Sequence, residues 1–276
     1  MTIITAKMIE HSCSTSTGIE LATVQLCYPR FIHAEFMTHR VFSRNASSSR
    51  AIPVAKMIEQ VRNDPAMPIH WGKNQPGMQA HAELEGQDRA FAQQLWLKAA
   101  QQASDIADSM NSFGVHKQVA NRILEPFQYM HVIVTATEWE NFFALRAHPD
   151  AQPEIHALAL VMKTAMDESV PRWLDDDEWH LPYVTYAERL NLPTDVLLKI
   201  SGARCARVSY LTHDGQNPEV EKDLALYDRL VGGVPLHASP IEHQATPMAT
   251  GDMWSGNFRG WMQHRQLVEA TFNPAL

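Results

Sequence analysis

Residues 38–50 read Thr38-His39-Arg40-Val41-Phe42-Ser43-Arg44-Asn45-Ala46-Ser47-Ser48-Ser49-Arg50, a run dense in hydrogen-bonding side chains. Arg40, Arg44 and Arg50 offer planar two-pronged donors and the serines compact ones, a set that suits phosphate oxygens. A surface loop with a Ser-rich turn has the same composition. Three further places carry chemistry. Arg122 follows an asparagine near Pro126. Arg146 closes Asn141-Phe142-Phe143-Ala144-Leu145-Arg146, where an alternative role is an (i, i+4) pair with Asp150. His237-Ala238-Ser239-Pro240-Ile241-Glu242-His243 holds metal-ligand types, but Pro240 denies it the helix that would set their spacing, so no metal is assigned.

The elements that must position these groups follow from pattern. Residues 2–10 and 19–28 alternate like strands, and the polar, Gly-terminated span 11–18 reads as their connection. Residues 24–36 read as a strand, bounded by a proline-interrupted edge, that delivers the polar run. Pro53 to Val61 reads as a short helix with Val54, Met57, Ile58 and Val61 on one face. Residues 63–81 are irregular, either a binding loop or a surface excursion. A long helix spans 87–112, and its stripe Phe91, Leu95, Ala99, Ala103, Ile106, Met110 is assigned to the core. Helix is expected over 115–123, strand over 130–137, helix from Glu138 with Thr137 as N-cap, and helix over 151–169. The acidic stretch 171–195 reads as a solvated linker, followed by a new unit with an amphipathic helix over 219–231.

The 276 residues suffice for one large domain or two small ones. A net charge of −8 argues against a general nucleic-acid coat, so no polymeric nucleic acid is expected, although a local basic pocket for one nucleotide remains open. Cys13, Cys27 and Cys205 give no disulfide framework and point to a reducing cytosol, hence a cytoplasmic location. No apolar run approaches a membrane span, and the N-terminus lacks a signal-peptide core.

The polar run resembles the signature of flavin-dependent thymidylate synthases, Arg-His-Arg, then seven residues and a serine, closing on an arginine and a tyrosine. His39, Arg40, Ser43, Asn45, Ser48 and Arg50 match, while Thr38, Ala46 and Ala51 replace an arginine, an acidic residue and a tyrosine. The family's Ala-Arg-x-x-Leu-Pro is similar to Asn121-Arg122-Ile123-Leu124-Glu125-Pro126. Its Asn-Phe-x-x-Leu-Arg is similar to residues 141–146, and its Ala-Gln-x-Glu-Ile to Ala151-Gln152-Pro153-Glu154-Ile155. The family's flavin-contacting Asn-x-Arg is Thr135-Ala136-Thr137 here. Two segments that precede the signature in the family, similar to Arg207-Val208-Ser209-Tyr210 and residues 237–243, follow it here, so the chain reads as circularly permuted. Residues 256–265 resemble residues 29–40 in outline, a partial repeat in which Gln263, His264 and Arg265 form a vestigial or repurposed site.

The resemblance implies an α+β fold, a mixed sheet with flanking helices in permuted order. It divides the chain into a signature-bearing half (1–170), a linker (171–195) and a half (196–276) resembling the family's N-terminal part, in one compact unit. It implies methylation of dUMP to dTMP with methylene-tetrahydrofolate as carbon donor, FAD as hydride carrier and NADPH as reductant, in a homotetramer with shared active sites. Arg146 would polarise the pyrimidine. Ser48, the counterpart of a serine considered as a nucleophile, would join Arg40, Arg50 and Arg122 in holding the nucleotide, since no base stands near it in sequence. His39, Val41, Asn141, Ser209, Ser239 and Glu242 match flavin contacts; a capping or turn role is the alternative for Ser239 and Glu242. The departures at Thr38, Ala46, Thr135 and Thr137 leave two further readings: hydroxymethylation of a deoxypyrimidine nucleotide without the final reduction, and a non-catalytic paralogue that binds nucleotide or builds an assembly.

Overall fold

A computed structural model describes residues 2–208, 219–233 and 236–272. Its centre is a five-stranded sheet in the order β3-β4-β2-β1-β5, built from β1 (Thr5–Ser14), β2 (Glu20–Pro29), β3 (Ser43–Ala46), β4 (Tyr129–Ala136) and β5 (Arg172–Leu174). The pairings are antiparallel except β1 with β5, which makes the sheet mixed. Strand β1 runs through His11–Ser14, residues expected in the connection, because each of His11, Ser12 and Cys13 finds a ladder partner on β2. The turn shrinks to residues 15–18 and closes on Gly18 at φ +69°.

Alternation splits the sheet into two unlike faces. On one, Ala22, Val24, Leu26 and Tyr28 of β2 and Met130, Val132, Val134 and Ala136 of β4 form the main core. Helices α5 (Glu140–Arg146) and α6 (Pro153–Asp167) cover it through Phe142, Ile155, Leu158, Ala159 and Met162. The other face carries Thr23, Gln25, Cys27, His131, Ile133 and Thr135. Over Ile133 lie Cys205 and Val208, at the end of α8 (Thr194–Arg207). Helix α5 starts at Trp139 without a side-chain cap, and Thr137 is not its N-cap; the Thr137 hydroxyl instead accepts from the Arg259 backbone N–H. Helix α6 is capped by the Gln152 side chain, which accepts from the N–H groups of Glu154 and Ile155.

The polar run leaves β2 through the short α1 (His33–Phe36) and enters β3. Phe36, Phe42, Phe142 and Trp139 pack ring to ring at 4.7–5.9 Å between centroids and pin the run to the core. Beyond it, α2 (Val54–Asn63) buries Val54, Met57, Ile58 and Val61 against α3 (Gly86–Ser112), α4 (Lys117–Ala120) and a 3-10 helix over Asn121–Phe127. The expected helix over 115–123 is thus divided, and Pro126 sits inside the tighter segment. The face of α3 also differs from expectation. Trp96, Ala100, Ala103, Ala107 and Met110 face the core, whereas Phe91 (62%), Leu95 (51%) and Ile106 (55%) are exposed. The intervening loop is tied down by an indole N–H bond from Trp96 to the Ala66 carbonyl and by the Ile69 N–H bond to Glu154.

Residues 171–195 do more than link. They supply β5 and α7 (Tyr186–Asn191), and wholly buried His180 bridges Ala245 by its backbone and bonds Ser12 and Thr23 of the sheet through its ring. Helices α8 and α9 (Val220–Val231) meet around buried Arg204, which donates to Asp223 at 2.7 Å and Glu188 at 2.6 Å. The chain ends in short pairs, β6 (Ala245–Pro247) with β9 (Trp261–Gln263) and β7 (Trp254–Ser255) with β8 (Phe258–Arg259), then α10 (His264–Phe272).

Candidate functional site

The serine run turns out of β3 with its backbone still bonded to β4: Ser47 N–H donates to the His131 carbonyl at 2.8 Å, and His131 N–H to the Ser47 hydroxyl at 3.1 Å. Asn121, wholly buried, then holds the loop by donating to the carbonyls of Ser49 and Ile52. The result is an open cavity of about 250 Å³ whose lining includes Ser47, Ser48, Ser49, Arg50, Arg122, Arg30 and His33. Three sequence-predicted residues, Ser48, Arg50 and Arg122, come together there. Guanidiniums, hydroxyls and loop backbone on one concave wall make an anion site. Burial, with Arg30 and Arg44 nearby, lowers His33 to about 4, so its imidazole is neutral and bonded to the Tyr28 hydroxyl at 2.9 Å.

Arg30, His33 and Glu125 were not anticipated from sequence. The signal for Arg30 was available: Pro29 ends β2, so the next residue turns off the sheet edge beside the loop. Glu125 pairs with both Arg30 (2.9 Å) and Arg122 (2.8 Å).

Arg146 does not line this cavity. Its guanidinium bonds His39 Nε2 (3.1 Å), Glu35 (3.3 Å) and the Thr38 hydroxyl (3.4 Å), so its partner is Glu35 and not Asp150. Accepting from Arg146 fixes His39 Nε2 without a proton, consistent with burial and the Arg146 and Arg44 charges lowering its pKa. His39 packs against Phe42 and edge-on to Phe142. Asn141, next to Phe142, and Arg40 and Val41 are exposed. Helix α1 thus shows His33 to the anion cavity and Glu35 to Arg146.

The C-terminal segment reaches the signature from its other side. A 3-10 turn at Ser239–Glu242 packs on β3, and Asn45 donates to the Cys205 carbonyl at 2.8 Å. Gln263 donates to the Ser43 hydroxyl (3.0 Å) and the Glu242 carbonyl (2.9 Å). Glu242 is bound by Arg265; burial raises its pKa against that attraction. Ser239 is exposed. Ser209, the remaining predicted contact, lies outside the described residues. Thr135 is wholly buried, bonded to Thr23 (2.7 Å) and His243 (2.9 Å), and Thr23 continues to His180 (2.7 Å). The strand end at Thr135 and Thr137 is therefore filled by this chain's own residues.

The sequence matches the family profile described as thymidylate synthase complementing protein over residues 5–172. No curated protein matches it. Two solved structures of the UMP/dUMP methylase PolB from Streptomyces cacaoi, bound with 5-Br dUMP and with 5-Br UMP, each align at a TM-score of 0.51. They are 16% and 18% identical and cover 61% of this chain and 91% and 90% of their own. That likeness shows a shared fold. With the profile spanning β1 to the start of β5, the signature loop and Arg146 included, the chain belongs to the thymidylate synthase complementing protein family, the flavin-dependent thymidylate synthases.

Proposed function

We propose that the protein methylates the uracil ring of a nucleoside monophosphate, dUMP first, taking the carbon from methylene-tetrahydrofolate. The observation that carries this reading is the convergence of Ser48, Arg50 and Arg122 on one anion cavity in a member of this family. In it the cavity residues bind and orient the phosphate, which converts the encounter into a positioned reaction. Ser48 binds through its hydroxyl. Arg146 stabilises negative charge on the pyrimidine as carbon five becomes nucleophilic. Because Arg146 does not line its own chain's cavity, the reading gives that task to Arg146 of a second copy, in a homo-oligomer.

The residues present fit a flavin on the outer side of the signature. Val41 and Asn141 are exposed beside His39 and would hold the cofactor there. Glu242 reaches β3 from the opposite side, where Arg265 binds it, and adds no more to that surface than the strand end at Thr135 and Thr137. The chemistry a reduced flavin supplies when bound is hydride transfer to the one-carbon unit, with NADPH the reductant in this reading. The closed strand end favours one alternative, hydroxymethylation without reduction.

Incubation with dUMP, methylene-tetrahydrofolate, FAD and NADPH, followed by product mass, tests the reading. A nucleotide heavier by CH2 is expected. A product heavier by CH2O would establish the alternative, and unchanged dUMP would remove both.

A further inference from the structure

Three residues that line the anion cavity share one carboxylate, Glu125, which stands behind them and does not itself line it. Glu125 Oε1 accepts from Arg122 Nη1 at 2.8 Å, from Arg30 Nη2 at 2.9 Å and from the Ser49 hydroxyl at 3.1 Å. Three donors of the cavity wall meet one carboxylate oxygen, and a phosphate oxygen in the cavity would seek the same donors. Glu125 stands where the family segment Ala-Arg-x-x-Leu-Pro has its leucine, so this charge departs from that segment.

The charges then balance. Arg30, Arg50 and Arg122 bring three positive charges to the cavity, and Glu125 returns one. His33 adds none near neutral pH, since its pKa is lowered to about 4. Roughly two positive charges remain, and a phosphate monoester carries about −1.5 to −2 at pH 7. A second phosphate group would add negative charge beside a carboxylate that already occupies two of the three guanidiniums.

We propose that Glu125 is a specificity-determining residue, which trims the cavity's charge to fit one terminal phosphate and disfavours ligands that carry two. This rests on the nucleotide reading of the cavity. It adds a negative element to the site, and selectivity of this kind comes from repulsion of the wrong ligand as much as attraction of the right one.

Calorimetric titration at fixed ionic strength tests it, with wild type and Glu125→Gln against dUMP, dUDP, inorganic phosphate and pyrophosphate. Wild type should prefer dUMP to dUDP and phosphate to pyrophosphate. In Glu125→Gln both preferences should narrow by about tenfold, because a unit of like charge beside the cavity's arginines has gone. If that variant does not fold, Arg30→Met is read instead, which takes the cavity from about two positive charges to one and keeps the carboxylate. Both preferences should then widen, because a second phosphate meets less positive charge beside the same carboxylate. Preferences that stay unchanged, or both ligands weakening in parallel, would overturn the proposal and leave Glu125 a brace for its arginines. If dUMP fails to bind while the phosphate-to-pyrophosphate preference moves, the nucleotide reading falls and the charge selection stands. If no phosphate compound binds wild type, both fall.

Discussion

Arg146 and Arg122 are both arginines on the signature side of the fold, and their surroundings divide their work. Arg122 sits on the cavity wall with a half-exposed side chain, whereas Arg146 is held by three partners on α1 and the residues after it. A cation fixed in this way acts on charge that develops during reaction. Arg146→Gln should therefore lower turnover about 10²–10³-fold, the range for loss of one preorganised donor. Steady-state kinetics should show the loss mainly in kcat; a change confined to KM would make Arg146 a binding residue only. At this scale the sequence was legible where a side chain's role depends on its immediate neighbours. Ser48 and Arg50 lie two residues apart, and their meeting was readable. Arg30 and Glu125 are far apart in sequence and meet because β2 and the Asn121–Phe127 segment end at the same edge, which no local pattern records.

The elements show which physical signals carry and which mislead. Strands β1, β2 and β4 were readable because alternation has only one solution when one face is buried. Helix α3 was readable in extent and misread in orientation. Its long apolar residues, Phe91, Leu95 and Ile106, outweighed the small ones, yet Ala100, Ser104 and Ala107 are the buried face, since close packing against α2 admits small side chains. The acidic stretch hid β5 because a three-residue strand has no period to detect. Across the sheet, Ser12, His180, Thr23, Thr135 and His243 form one buried hydrogen-bonded series. Burial holds His243 at about 3 and His180 well below 6.5, so both are neutral in the fold. Their folded pKa values lie below the unfolded value, so the stability they contribute is fully present above about pH 6.5 and is lost as pH falls towards 3. Thermal melts should therefore drop between pH 7 and pH 5, and His243→Gln should flatten that slope. A parallel slope in the variant would rule His243 out as its source.

At the scale of the molecule, the middle of the chain and its C-terminal part meet around the signature. The Ser239–Glu242 turn and Gln263 press on β3 from one side, and α5 presents Arg146 on the other. The profile match ends at Arg172, and much of what covers the polar face of the sheet lies beyond it. What the isolated chain does not do is bring Arg146 to its own anion cavity. If sites are shared between copies, Arg50→Ala and Arg146→Gln, each strongly impaired alone, should regain part of the wild-type rate when co-expressed. Purified hetero-oligomers that stay inactive would place the whole site within one chain.

The most direct test of the account is a comparison of dUMP with deoxyuridine in binding to wild type and Arg122→Ala. In the proposed function the phosphate lies among Ser48, Arg50 and Arg122, where each charged hydrogen bond contributes about 1.5–3 kcal/mol. dUMP should bind wild type far more tightly than deoxyuridine, lose about 10- to 100-fold in Arg122→Ala, and weaken as salt rises. Deoxyuridine should bind both proteins alike. Equal affinity for the two ligands, or an Arg122→Ala protein that binds dUMP as wild type does, would contradict the placement of the nucleotide and with it the function drawn from it.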